Sequence, residues 1–428
     1  MGAGISGLAC AYRLVQAGAE VTLFESGDYF GGHSNTVDVT LEGQTFGVDT
    51  GFLVFNERTY PHLIALFAEL NVDTAASDMS FSVKLPRSAA AGAGTLEWAG
   101  SNLDTVFAQR RNLLSPRFLR MVREILRFNA EATALAQGGA AMPAQSLGEF
   151  LDQRAYSAQF RNWYLLPMAA CIWSCPSDQM LAFPVATFVR FCHNHGLLQV
   201  NDRPQWRTVR GGSRRYVDKL LAGIPSRRLQ TPVLAVSRTR LVGACSVRVE
   251  TAAGAERFDQ VVLACHSDQA LALLDDARAD ERALLGAIAY QPNRAVLHTD
   301  ASCLPDSRRA WSAWNYQSTA AATPEVCVHY LINKLQPLPC KTPVIVSLNP
   351  IDAPDPASVL AQFDYAHPVF DAAAVAAQGQ LAALQGMHNT WFAGAWTGYG
   401  FHEDGLKSGL AVASALAARM AQHGDVAA

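Results

Sequence analysis

Gly2, Gly4 and Gly7 open the chain in the pattern Gly-x-Gly-x-x-Gly, with Ala3, Ile5 and Ser6 between them. Glycines at this spacing permit a tight turn and let backbone amides approach a pyrophosphate, whose charge rests on the N-terminus of the helix that follows. Glu25 closes the strand-like run Val21-Thr-Leu-Phe-Glu25, where a carboxylate accepts both ribose hydroxyls of an adenosine. Ser26 comes next, and Gly31-Gly32 and His33 follow shortly after. The glycine pattern alone is weakly specific. Joined to Glu25 and a Gly-Gly pair at this spacing, it points to FAD rather than NAD.

These residues need a βαβ unit to hold them. Leu8 to Gln16 reads as its helix and Val21–Glu25 as its second strand, yet Met1 stands directly against Gly2. A complete unit has about five apolar residues there, so the expectation is a first strand supplied upstream of Met1. From about residue 60 to 200 the pattern is largely helical. Ser115-Pro116 is a good N-cap and first-turn pair, and the helix after it is amphipathic. Between Arg110 and Arg127 six arginines face Glu124 alone. The stretch 107–128 has the makeup of a membrane-surface helix, although an ordinary amphipathic helix with a solvated basic face explains it more simply. Residues 231–250 alternate like a hairpin, Val261–Ala264 reads as a short buried strand, and strand-like runs recur between 285 and 365. The tail returns to a strand at Thr390–Gly394 and an Ala-rich helix from Gly405. The expected fold is α/β: a discontinuous FAD-binding Rossmann-like domain (1–65, 206–275 and 376–428) with an inserted α+β substrate domain (66–205, mainly helical, and 276–375, a sheet).

Composition narrows the function. With 428 residues, 50% hydrophobic and 17% charged, the chain can bury a large core, and its net charge of −3 argues against a nucleic-acid binder. No apolar run is long enough to span a bilayer, and no basic, cleavable leader precedes the glycines, so a cytoplasmic protein, at most peripheral at the inner membrane surface, is expected. The nine cysteines lack CxxC pairs; Cys171 and Cys175 fit core packing better than a disulfide. Cys192, His193 and His195 alternate in an aromatic-rich segment, which fits packed side chains better than a metal site, and no metal is expected. Aromatics crowd the inserted domain: Trp163, Tyr164, Trp173, Phe183, Phe188 and Phe191, then Trp206, Trp311, Trp314 and Tyr316. Most suit a core, and some should line a cavity that takes a long apolar substrate better than a polar amine.

On these motifs the sequence resembles the flavin amine oxidase, protoporphyrinogen oxidase and phytoene desaturase superfamily over nearly its whole length, most strongly at its ends. Gly2 to Ser34 looks like the family's dinucleotide motif, and Pro232-Val233 like its adenine-contacting strand. Gly211-Gly212 falls where the family has a Gly-Gly pair before a helix. Ala393-Gly394 through Gly405-Leu406-Lys-Ser-Gly409 resembles the closing flavin motif, whose helix N-terminus faces the flavin's pyrimidine end. A finer resemblance, carried by Val48–Asn56 (with Gly51 and Phe52), Trp311–Tyr316 and Gly400–Gly405, is to a bacterial branch of predicted NAD/FAD-binding proteins. By association that branch implies a lipid acyl substrate and a partner methyltransferase. Four departures matter. His33 stands where many relatives have arginine. Ala395 replaces an acidic residue, so that Glu403 or backbone groups must compensate. Aligned on the strand Gln291–Leu297, Arg294 replaces the amine oxidases' lysine, and Phe401 replaces a flavin-facing tyrosine.

The resemblance therefore implies an FAD-dependent dehydrogenase or desaturase that passes hydride from a C–H of an apolar, fatty-acyl or lipid substrate to flavin N5. Arg294 and His402 are the candidate catalytic residues. The alternatives are a flavin amine oxidase and a non-catalytic FAD-binding partner of a lipid methyltransferase. The cofactor contacts expected are Gly2, Gly4, Ile5, Ser6, Gly7, Glu25, Ser26, Gly31, Gly32, His33, Gly51, Phe52 and Val233. At the other end they are Gly394, Ala395, Phe401, His402, Glu403, Gly405 and Leu406.

Overall fold

The strand Thr22–Phe24 pairs in parallel with Ser226–Arg228, and Val261–Leu263 pairs in parallel with Thr390–Phe392. Met1–Ala3 runs between the two pairs: the Gly2 N–H donates to the Phe24 carbonyl at 2.9 Å, and the Ala264 N–H to that of Met1 at 2.8 Å. The computed structural model describes all residues except 87–93, 139–144, 174–176, 200–202, 242–243, 319–326 and 425–428, so Cys175 lies outside the described residues. Because the strands are parallel, their carboxyl ends share one edge, the place where open α/β sheets bind ligands. Helix Ile5–Gln16 starts at that edge and buries Leu8, Ala9, Ala11 and Leu14. The C-terminal helix His402–Gly424 packs against it, and the approach is close enough that a Cβ on Gly409 would lie 2.2 Å from the Ser6 carbonyl oxygen.

A seven-stranded mixed sheet forms the second layer. Its order is Val359–Val369, Ala289–His298, Ile345–Leu348, Cys327–Leu331, Trp314–Gln317, Phe81–Pro86, Thr95–Ala99. The largely helical reading of 60–200 therefore needs correction: Thr74–Ser77, Phe81–Pro86 and Thr95–Ala99 are strands. The period-two alternation of Phe81, Val83 and Leu85 with Ser82 and Lys84 is the local cause. The hairpin Thr36–Leu41 with Gln44–Asp49 was also not foreseen. Helix Pro116–Gln137 begins where expected, with the Ser115 hydroxyl accepting from the Phe118 N–H at 3.4 Å. It packs Phe128 against Phe150, Phe160 and Phe188 in a core under the helical segment. Strand Trp206–Val209 pairs with Thr74–Ser77, across the expected joint at 205, and the expected joints at 65 and 375 fall inside helices Pro61–Glu69 and Ala372–Gln378.

One face of the large sheet turns Trp314, Tyr330 and Leu348 toward the nucleotide layer. The other carries a buried polar chain. The Asp300 N–H donates to His298 Nδ1 (3.2 Å), so His298 Nε2 holds the proton and donates to Ser347 Oγ (2.6 Å). That hydroxyl donates to His329 Nδ1 (2.6 Å), and His329 Nε2 donates to Gln317 Oε1 (2.7 Å). Burial pushes His298 down to about 4 and His329 to about 3. Both rings are neutral at neutral pH.

Candidate active site

A cavity of about 690 Å³ runs from the parallel-strand edge to the inner face of the large sheet. Its first end is built by backbone. Gly2 and Gly7 sit so close that a Cβ on Gly7 would lie 1.9 Å from the Gly2 carbonyl oxygen, whereas a Cβ on Gly4 would enter open space. No side chain caps the first turn of helix Ile5–Gln16, so its amides are left for a ligand. Glu25 stands at the end of its strand as expected, its Oε2 accepting from the Ala3 N–H (2.7 Å) and its Oε1 from that of Gly27 (2.8 Å). Ile5, Ser6, Ser26, Gly31, Gly32 and Gly51 line the same end, as do Phe52 and Val233. Gly7 does not; it serves the close packing behind the loop.

His33 is half-buried, stacks on Tyr365 (4.8 Å between centroids) and leaves its buried Nε2 without a partner. Burial first, and then the neighbouring His367, His266 and His402, hold its pKa well below the ordinary histidine value. A neutral imidazole nitrogen buried without a partner fits a cofactor phosphate or hydroxyl, because an unpaired buried polar atom is costly. His367 (about 4) and His402 (about 3) are likewise kept neutral by burial. His402 stacks on Phe52 at 3.8 Å, and its Nε2 lies 2.8 Å from the Tyr216 hydroxyl, which also bonds Ser34.

Ahead of the C-terminal helix, Gly394, Ala395 and Phe401 line the cavity with His402. This turn is held by Asp404, which accepts from the Tyr399 (3.1 Å) and Phe401 (3.0 Å) amides and is pushed up to about 6 by burial. Glu403 does not take the place of the missing acid. Its carboxylate caps helix Pro61–Glu69, accepting from the His62 (2.8 Å) and Leu63 (3.0 Å) amides, because that helix start has no capping side chain of its own. Gly405 and Leu406 also stay outside the cavity: Gly405 abuts Ile5 and Ser6, and Leu406 is fully buried. Both seat the phosphate loop from behind.

Arg294 is overturned as a catalytic candidate. Its side chain is exposed and bonds Gln362, and the cavity wall does not include it. Strand residues alternate between faces. Asn293, one position earlier, turns inward and bonds His367 Nδ1 at 2.8 Å.

The second end is built by side chains from distant segments: Met79, Ile172, Leu197, Trp206, Trp314 and Tyr330. Phe401 lies 4.9 Å from Phe191, nearly parallel to it. His195 stacks on Phe191 at 3.9 Å and bonds the Phe191 carbonyl through Nδ1 (3.0 Å), which leaves Nε2 as an acceptor. Burial lowers His195 to about 4. Cys192 is core and does not join it in a cluster. Among the described residues the one group of three metal-ligating side chains is His298, Cys303 and His329, behind the large sheet, where the polar chain above already uses the ring nitrogens. Sequence reading missed His266, His367, Tyr290 and Tyr365, which line the cavity between its ends. The position of Cys265-His266 just after a buried strand was the available signal, since loops at strand carboxyl ends carry ligand contacts. Across the described cavity wall Glu25 is the one carboxylate, and there is no lysine or arginine.

The cradle fits FAD: an open loop amide array, a ribose carboxylate, an unpartnered imidazole and a second helix start. Comparisons with known proteins agree. A search of curated proteins by sequence finds no match. The structure resembles a cyclohexylamine oxidase from Brevibacterium oxydans IH-35A (17% identity, 98% of each chain, TM-score 0.67). It also resembles an Exiguobacterium sp. 255-15 protein assigned as a protoporphyrinogen oxidase (18%, 98% of each, 0.65). A fatty acid isomerase from P. acnes that produces CLA is similar as well (14%, 96% of each, 0.63). These likenesses establish the shared fold. The model of the flavin-containing amine oxidoreductases matches residues 5–320, and with that match over most of its length the chain belongs to this family of FAD-dependent oxidoreductases.

Proposed function

We propose that the chain dehydrogenates a neutral, long apolar substrate of the fatty-acyl or lipid class. The observation that supports this reading is the absence of charge at the substrate end. Glu25 is the only ionisable acid on the described cavity wall and sits at the nucleotide end, bonded to backbone amides. An ammonium group taken from water into such an aromatic and aliphatic chamber would lack a counter-charge, whereas an alkyl chain gains from the transfer.

FAD, when bound, supplies the two-electron acceptor. The chain's own residues then have three tasks. Met79, Ile172, Leu197 and Trp206 grip the alkyl chain and exclude water. Phe401 against Phe191 fixes the wall beside the reacting carbons. His195 Nε2 takes the proton lost as the C=C bond forms, because its Nδ1–H is already committed to the Phe191 carbonyl.

A second reading, amine oxidation, is favoured by the aromatic Phe401–Phe191 pair and by the family. Anaerobic flavin spectra separate the two. Membrane phospholipid should bleach the flavin, and putrescine or cyclohexylamine should not. Bleaching by amines alone would sink the lipid reading. His195→Ala should slow flavin reduction by roughly 10²- to 10⁴-fold with FAD still bound.

A further inference from the structure

The described surface is unevenly apolar. Five of its ten strongly exposed large hydrophobic side chains, Leu103, Leu113, Leu114, Leu119 and Leu126, fall within 24 consecutive residues, with Leu114 exposed to 88% and Leu103 to 77%. The same segment is basic, with six arginines between 110 and 127 against Asp104 and Glu124, in a chain whose net charge is −3. We propose that residues 103–127 form a docking surface for an anionic phospholipid bilayer.

The geometry separates anchors from contacts. Helix Leu103–Val106 and the 3₁₀ turn Arg110–Leu114 are held by the Asn102–Thr105 capping box and by buried Asn112, so the adjacent Leu113 and Leu114 are presented on a fixed turn. On helix Pro116–Gln137, Phe118, Met121 and Phe128 face the core, while Leu119, Arg123 and Leu126 share the outer face. Arg120 pairs with Glu124 and Arg127 with Glu131, but Arg117 and Arg123 have no ion-pair partner among the described residues. Arg309, 4.0 Å from Asp104, and Arg308, over the Trp311 ring, extend the basic rim. Leucines flanked by arginines suit the boundary between acyl chains and headgroups: the leucines enter the apolar layer, while long arginine stems lie along it and place their charge among phosphates. A protein partner would need carboxylates at the arginine positions and apolar pockets for two neighbouring leucines at once; an anionic bilayer meets both needs without such matching. No helix among the described residues is long and apolar enough to cross a membrane, so the surface lies on the bilayer.

This inference goes beyond the substrate reading and stands or falls separately, because lipid-surface binding needs no turnover. The test is co-sedimentation of the FAD-loaded full chain with vesicles of phosphatidylcholine alone or mixed with phosphatidylglycerol, at low and high salt. Binding should require phosphatidylglycerol and weaken with salt. Arg117→Glu with Arg123→Glu should lower the partition coefficient by roughly 30-fold or more, from the loss of two surface arginines. Leu113→Ser with Leu114→Ser should lower it roughly tenfold or more through lost apolar burial. An unchanged flavin spectrum and melting temperature would establish that both variants are folded. No sedimentation with phosphatidylglycerol vesicles, or binding by both variants equal to that of the parent, would overturn the proposal. So would a leucine pair whose loss dissolves a dimer while lipid binding persists, since the face would then join two copies of the chain.

Discussion

The two ends of the cavity are made in different ways. At the nucleotide end the contacts are main-chain amides, a glycine turn and one carboxylate, drawn chiefly from the first 52 residues and the closing turn at 394–402. At the substrate end they are side chains brought together from residue 79, the helical segment near 171–197, the strand residue Trp206 and three strands of the large sheet. A backbone cradle fixes what it binds, because moving it means moving a helix start. A side-chain chamber can change its occupant one residue at a time. The first end is a commitment to FAD, and the second is where members of one fold can diverge in substrate.

The sharpest way to test that contrast is to disturb the backbone packing behind the first end and a side chain in the second. Gly7→Val drives carbon into the Gly2 carbonyl oxygen, 1.9 Å from the position of a Cβ, with no flexible neighbour to yield. It should yield colourless, poorly folded protein, destabilised by more than about 3 kcal/mol, as over-packing against fixed backbone does at its worst. Trp314→Ala, which opens the far wall, should leave the protein yellow and change substrate affinity instead. Equal FAD loss in both would erase the distinction between the ends; flavin absorbance after purification reads the result.

The same contrast explains what could be read from the sequence. Gly2, Gly4, Glu25 and Gly31-Gly32 work through local spacing, so their order along the chain already contains their geometry. The basic helix was legible because Ser115-Pro116 marks its start and its period is helical. Arg294 misled because a strand residue's role depends on its face, and one position in register separates exposed Arg294 from inward Asn293. Glu403 misled because a neighbouring helix start claimed its carboxylate, a tertiary fact with no local signal. His266, His367 and Tyr365 meet only after the inserted segment folds back.

Acid should act on the protein through its neutral histidines rather than through the phosphate loop. His195, His298 and His367 are held at about 4, and His329 and His402 at about 3, each chiefly by burial, against about 6.5 in an unfolded chain. Between pH 6.5 and about 4 the unfolded state therefore binds protons that the native state refuses, and stability falls as pH falls. Asp49 and Asp404, raised to about 6 by burial, oppose this, since below pH 6 the native state takes up their protons first. Five groups outweigh two. The unfolding free energy from denaturant titrations should decline through that window by ~1.4 kcal/mol per pH unit for each net proton. A flat profile from pH 7 to 4.5 would mean that these rings are wet and charged.

The smallest effect should come from the one charge on the cavity wall. The Glu25 carboxylate is shared between the Ala3 and Gly27 amides, at 2.7 and 2.8 Å. Glu25→Gln keeps the shape but accepts only one of those bonds, its amide nitrogen facing the other N–H, so stability should fall by about 1 kcal/mol while the fold is kept. What disappears is the charge-assisted acceptance of the cofactor's ribose hydroxyls, about 1.5–3 kcal/mol, or roughly 10- to 100-fold in FAD Kd. Because nothing charged lies at the other end, turnover of FAD-saturated variant should match the parent with a neutral substrate. If Glu25→Gln instead raised KM at saturating FAD, the carboxylate would be felt by substrate, and the cavity would not divide into a cofactor end and a substrate end at all.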